Sequence, residues 1–168
     1  MDIYSYIKKD HEKVADLMQQ VIDSRDPNER KALFDTIRIE LILHLGSEEQ
    51  TFYRAIEKAS RAEAVEEQMD HAHHEHDEVR DYLVKLAGLR VDNEIWIETF
   101  GEFKHAVSHH VAEEEGDVWA KARKFLSSHD AAKLAHEMDA VKQEMRDNID
   151  LPLGASKASK AILMPQSH

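Results

Sequence analysis

Two short phrases built on histidine and carboxylate residues each occur twice in this chain. Asp10-His11-Glu12-Lys13-Val14 returns as Glu75-His76-Asp77-Glu78-Val79, and His44-Leu45-Gly46-Ser47-Glu48-Glu49 returns as His110-Val111-Ala112-Glu113-Glu114-Glu115. An aromatic follows each copy of the second phrase, at Tyr53 and Trp119. The copies lie 65 and 66 residues apart, so His11, His44, His76, His110, Glu48 and Glu114 keep one register through the repeat. A helix pair copied end to end would relate its halves by a pseudo-twofold axis. Two such halves facing each other would bring imidazoles and carboxylates together as a metal cage.

The elements that must position these residues read as helices. Only five Gly and three Pro punctuate 168 residues, and apolar side chains recur at steps of three and four instead of two. A first helix covers roughly 2–24. Asp26-Pro27 followed by Glu29 opens a second, running to about 58. Ser60 with Glu63 reads as a capping box for the third, which Gly88 ends. Asp92 caps a fourth that continues to about Phe125, and Ser127 or Ser128 opens a shorter fifth ending near Asn148. Four long helices predict an all-α, up-down-up-down four-helix bundle with an additional C-terminal helix, together spanning residues 1–150. Residues 151–168 hold two Pro, small residues and two Lys, and read as a flexible C-terminal tail.

The inward stripes of these helices contain the repeated residues. Ile37, Leu41, His44, Glu48, Thr51 and Ala55 share one face of the second helix, and Phe103, Val107, His110, Glu114 and Val118 one face of the fourth. Ile7, His11, Val14, Met18 and Val21 line the first, and Met69, His73, His76 and Leu83 the third, with Val79 flanking. Burying this ionisable set without partners costs several kcal/mol per charge, which a marginally stable bundle cannot absorb. A bound cation removes the conflict. HxxxE spacing alone is not selective here, since it also occurs at 71/75, 74/78 and 109/113. Only the copies at 44 and 110 combine it with an inward face, the repeat and a matched upstream histidine. His71, His73 and His74 read as a solvated cluster, His105, His129, His136 and His168 as surface residues, Glu49, Glu113 and Glu115 as a wet acidic face from which Glu49 or Glu115 could orient a ligand, and Tyr53 and Trp119 as core.

This order of single histidine, HxxxE, single histidine, HxxxE resembles the haemerythrin-like (HHE cation-binding) domain family, over about residues 1–125. The resemblance implies two non-haem iron ions inside the bundle, joined by an oxo or hydroxo bridge. Its metal ligands would be His11, His44, His76 and His110, with Glu48 and Glu114 bridging. Oxygen-carrying members have a further histidine four residues before His76, where this chain has Ala72. His73 is then the best substitute for a fifth imidazole, with His74 and His109 behind it. Four imidazoles, two carboxylate bridges and an oxo bridge leave two positions open on a pair of six-coordinate irons, room for oxygen, nitric oxide, peroxide or small anions such as azide. Mixed imidazole and carboxylate ligation with open positions suits iron or manganese better than structural zinc; the resemblance implies iron, with manganese or zinc as lesser alternatives.

Other chemistries lack their parts. The sequence has no cysteine, which removes disulfides, zinc ribbons, iron–sulfur clusters and thiol nucleophiles together. HExxH is absent, and a ferritin-like carboxylate site needs two Glu-x-x-His where only Glu102 to His105 occurs. The net charge of −12 opposes nucleic acid as a partner. No basic start followed by an apolar run and no membrane-length segment is present, so the expected location is the cytoplasm. The expected function is binding of oxygen or a related small ligand, for sensing, storage or iron handling. A peroxide-decomposing di-iron enzyme and a metal-free helical bundle are the alternatives.

Overall fold

The computed structural model describes residues 1–149, and these contain helices and no strand; the tail expected from 151 lies outside the described residues. In chain order the helices are α1 (Ile3–Asp23), α2 (Pro27–Glu48), α3 (Arg54–Ala59), α4 (Glu63–Gly88), α5 (Glu94–Glu113), α6 (Trp119–Phe125) and α7 (Ser128–Asn148). A π-helical segment, Glu49–Tyr53, joins α2 to α3 without a break, and a second, Glu114–Val118, joins α5 to α6. The expected second and fourth helices are therefore single rods, each with a widened turn after its HxxxE motif. α1 packs on α2, α4 on α5, and α7 lies against both α1 and α2.

Local chemistry sets most of the boundaries. Asp26 accepts a hydrogen bond from the Asn28 N–H ahead of Pro27 in the first turn of α2. Ser127 and Asp130 exchange the reciprocal bonds of a capping box at the start of α7. Two expected caps fall elsewhere. Ser60 is extended at the end of α3 and accepts from Ala62 N–H in the linker, so α4 begins after Ala62 without a side-chain cap. Asp92 is engaged by the Arg90 guanidinium at 2.8 Å, and Asn93 caps α5 by accepting from Ile95 N–H at 2.9 Å.

The apolar interior is divided in two. One cluster gathers Val14, Met18, Val21, Phe34, Leu41, Val79, Phe100, Phe103 and Val107, among others. The second gathers Ile3, Ile7, Phe52, Tyr53, Met69, Ala72, Val118, Trp119 and Met138. The chain crosses from one to the other between Ile7 and Val14, Leu45 and Phe52, Ala72 and Val79, and Val107 and Val118. His11, His76 and His110 fall inside three of these intervals, Glu48 falls inside the second, and His44 lies one residue before it. Gly46 admits α7 closely at this level: a Cβ there would meet the Met145 Cε at 2.6 Å.

Candidate metal centre

Between the two apolar clusters lies a buried polar layer to which all four long rods contribute. His11, His44, His76, His110, Glu48 and Glu114 are all buried, the two glutamates completely. They form two overlapping groups whose ligating atoms lie within 4.8 Å of one another. The first is His11, His44, Glu48 and Glu114; the second is His76, His110, Glu48 and Glu114. Each group thus has one imidazole pair, and the same two carboxylates serve both. His73 does not join them. Its side chain is 38% exposed, with nitrogens 3.5 Å from Glu57 and 3.9 Å from Glu49, because one residue's rotation from Ala72 carries it off the inward face.

Behind every imidazole stands a carboxylate. His11 Nδ1 donates to Glu115 at 2.7 Å, His44 Nδ1 to Asp10 at 2.8 Å, His76 Nδ1 to Glu49 at 2.8 Å and His110 Nδ1 to Glu75 at 2.9 Å. The pattern obeys the repeat: the acid preceding each single histidine holds the histidine of HxxxE, and the second glutamate of each HxxxEE holds a single histidine. An ionised carboxylate can only accept, so each neutral ring carries its proton on Nδ1 and turns a lone pair on Nε2 into the centre. Cations secure two of these acids. Arg80 grips Glu49 through both terminal nitrogens at 2.7 and 2.9 Å, and Lys142 of α7 bonds to Asp10. Glu49 and Asp10 lose solvent, but their imidazole and cation partners more than offset that burial and hold both near 2.

Those Nε2 atoms crowd together without adequate partners. His76 Nε2 and His110 Nε2 lie 3.0 Å apart, where two lone pairs repel unless a cation sits close to both. Burial pushes His76 down to about 3, against the Glu49 hydrogen bond and with the charge of His110 adding to the effect. A proton is therefore a poor candidate for that cation. His11 Nε2, His44 Nε2, both Glu48 oxygens and Glu114 Oε1 are buried with no hydrogen bond. His11 and Glu114 do approach to 3.2 Å, without hydrogen-bond geometry. Burial and the adjacent Glu114 charge drive the Glu48 carboxyl well above its ordinary range. A divalent cation among these atoms would complete each orphan and relieve the carboxylate repulsion, so the residues fit a metal.

Tyr53 enters the same layer, correcting its reading as core alone. Its hydroxyl donates to Glu114 Oε2 at 2.6 Å and lies 3.0 Å from His76 Nε2. Burial, with Glu114 and Glu48 nearby, raises its pKa well above 10, so it remains a proton donor. The π segment accounts for its direction. In a π turn residues five apart stack, which brings Tyr53 over Glu48 where an α-helical period would bring Phe52. The supporting Asp10 and Glu75 stand at the head of the repeated phrases, but spacing alone does not assign them their partners across the bundle.

A helical bundle enclosing a shared imidazole and carboxylate layer defines a cation-binding four-helix protein. The family model described as Hemerythrin HHE cation binding domain matches residues 2–122, and the chain belongs to that family. Its fold is also that of a hemerythrin HHE cation binding domain-containing protein from Mycobacterium kansasii, with a TM-score of 0.78 at 23% identity, covering 96% of this chain and 99% of that one. A curated relative, described as a DNA nickase of Nostoc sp. (strain PCC 7120), is 25% identical over 149 residues. That match takes in 89% of this chain and 41% of the relative, so the chain spans about two fifths of that protein's length. No helix among the described residues is long and apolar enough to cross a membrane.

Proposed function

We propose that residues 1–150 form a di-iron protein of the cytoplasm that binds oxygen or a related small ligand. His11 and His44 would hold one iron and His76 and His110 the other, with Glu48 and Glu114 bridging. The observation that carries this reading is the convergence of four carboxylate-backed imidazoles on two buried glutamates shared between them. Nitrogen and oxygen donors without thiolate suit iron, whose open positions would supply reversible redox chemistry and a place for oxygen, nitric oxide, peroxide or azide. The chain's own part is to fix the rings through their Nδ1 protons and to exclude bulk water with an apolar cluster on either side. A cavity of about 20 Å³ lies against His11, His44 and His110, walled by Val14, Leu41, Val79 and Val107. At about the size of one water, it speaks for small inorganic ligands and against organic substrates. The net charge of −12 speaks against DNA as a ligand of this chain.

One observation favours a second reading. Tyr53 places a buried proton donor 2.6 Å from Glu114, which a peroxide-decomposing enzyme would use and simple carriage would not need. Elemental analysis of purified protein, with visible spectra before and after azide, tests the common core. One iron per imidazole pair and an azide-sensitive absorption are expected. His44→Ala and His110→Ala should lose most of that iron while His129→Ala retains it. No iron after anaerobic ferrous reconstitution would reject the proposal. Sustained turnover of added peroxide would then separate the enzyme from a carrier that cycles unchanged.

A further inference from the structure

The repeat that builds the buried layer leaves two of its supporting acids, Glu75 and Glu115, without a lysine or arginine partner among the described residues, and of these Glu75 alone faces imidazoles besides the one it supports. Asp10 and Glu75 are pseudo-twofold mates: each precedes a single histidine, and each holds the Nδ1 proton of the opposite HxxxE histidine. Asp10 is answered on its outer side by the Lys142 ammonium. Lys142 comes from α7, and α7 has no copy in the other half of the repeat. Glu75 therefore turns its Oε2 towards His71 and His109, with Glu113 beside it. No lysine or arginine pairs with Glu75 or Glu113 among the described residues.

These four residues are two further HxxxE motifs, 71/75 on α4 and 109/113 on α5, brought face to face. His71 Nε2 lies 3.1 Å from Glu113 Oε2 and 3.3 Å from Glu75 Oε2. His109 Nε2 lies 3.5 Å from the same Glu75 oxygen and 3.7 Å from the same Glu113 oxygen. A tetrahedral ion with ligand bonds of about 2.0–2.1 Å has edges of roughly 3.4 Å. The four imidazole-to-carboxylate distances bracket that edge; the ligand atoms of His71, Glu75 and Glu113 all lie within 4.8 Å of one another, and His109 reaches the group through its contacts to both carboxylates. Side-chain exposure rises from 10% at Glu75, through 26% at Glu113, to 50% at His71 and 64% at His109, so the cluster opens to solvent.

We propose that His71, Glu75, His109 and Glu113 form a third, surface site for a divalent cation of the zinc class, distinct from the buried centre and standing where Lys142 stands in the other half. Two borderline imidazole nitrogens and two hard carboxylate oxygens in a cluster open to solvent select such an ion over calcium or magnesium, which require more oxygen ligands. Glu75 joins the two sites, with Oε1 accepting from His110 Nδ1–H and Oε2 facing the surface ion.

The test uses the full-length protein, iron-loaded and counted by elemental analysis, then titrated calorimetrically with zinc chloride. One zinc equivalent beyond the iron is expected. The double variant His71→Ala/His109→Ala should bind it at least tenfold more weakly with its iron content unchanged. His129→Ala/His136→Ala, which removes two exposed imidazoles of α7, should bind it as the parent does. Anomalous scattering at the zinc edge should place the ion between α4 and α5. Absence of the extra equivalent, or its survival in the His71/His109 variant, overturns the proposal. If the buried centre takes no iron, the functional reading above fails separately. Zinc uptake that needs His71 and His109 but not His44 and His110 would still establish the surface site.

Discussion

At the scale of single residues the centre depends on which atoms lack partners. Glu48 has neither oxygen hydrogen-bonded, and Glu114 keeps one bond, from Tyr53. Removing that hydroxyl leaves a buried charged acceptor unsatisfied, a cost of about 1–3 kcal/mol in metal-free protein. Tyr53→Phe should therefore melt earlier when chelated but retain its iron, because none of the six converging residues is touched. Peroxide turnover in this variant should fall by an order of magnitude if the hydroxyl supplies a proton. Unchanged turnover would reduce Tyr53 to a packing and hydrogen-bonding role. His73 gives the opposite case. Its half-exposed ring faces Glu57 and Glu49, so His73→Ala should match the parent in iron content and visible spectrum, and a spectral change would restore it as a ligand.

At the scale of elements, the fifth helix reaches the centre through Lys142, Asp10 and His44. α7 packs against α2 at Gly46 and inserts Lys142, nearly buried, between Asp10 and the Tyr6 ring. Lys142→Met keeps the packing volume and removes the ammonium. Asp10 then holds His44 with less restraint, and loss of such a supporting partner weakens metal retention by about 10–100-fold. Timed chelation should release the His11/His44 iron first, while the His76/His110 iron, secured through Glu49 and Arg80, leaves as in the parent; equal release would sever α7 from the site. Periodicity made the rods legible, since Leu41, His44 and Glu48, or Val107, His110 and Glu114, follow an α-helical stripe. It failed just beyond them. A π turn inserts a residue that no hydrophobic pattern announces, so Thr51, Phe52 and Tyr53 are buried in succession where a 3.6-residue period would expose one. Caps were less legible because Asp92 is taken by the Arg90 guanidinium and Ser60 by the Ala62 N–H, competitions that no local pattern announces. The supporting acids were written in the repeat, but their direction required the packed helices.

At the scale of the whole molecule, six ionisable side chains separate two apolar clusters that would otherwise merge into one core. Such a layer is expensive when empty: an unpaired buried charge costs several kcal/mol against a total stability of about 5–15 kcal/mol. Part of that cost is met without metal, by Nδ1 protons shared with carboxylates and by the Arg80 and Lys142 cations behind them. The Nε2 contact between His76 and His110 and the orphaned oxygens of Glu48 are not relieved in that way. An ion that binds only the folded chain adds about 4 kcal/mol per site at a thousandfold excess over its dissociation constant. A domain of this size shifts by roughly 2–4 °C per kcal/mol, so filling both positions should raise the melting temperature by at least 10 °C over chelated protein. Scanning calorimetry of iron-loaded, chelated and reloaded samples measures this directly. Glu48→Gln supplies the internal control. It removes a charge common to both groups, so it should stabilise the chelated protein while abolishing most of the gain from iron. A melting temperature indifferent to iron in the parent would mean that the bundle carries its polar layer by hydrogen bonds alone.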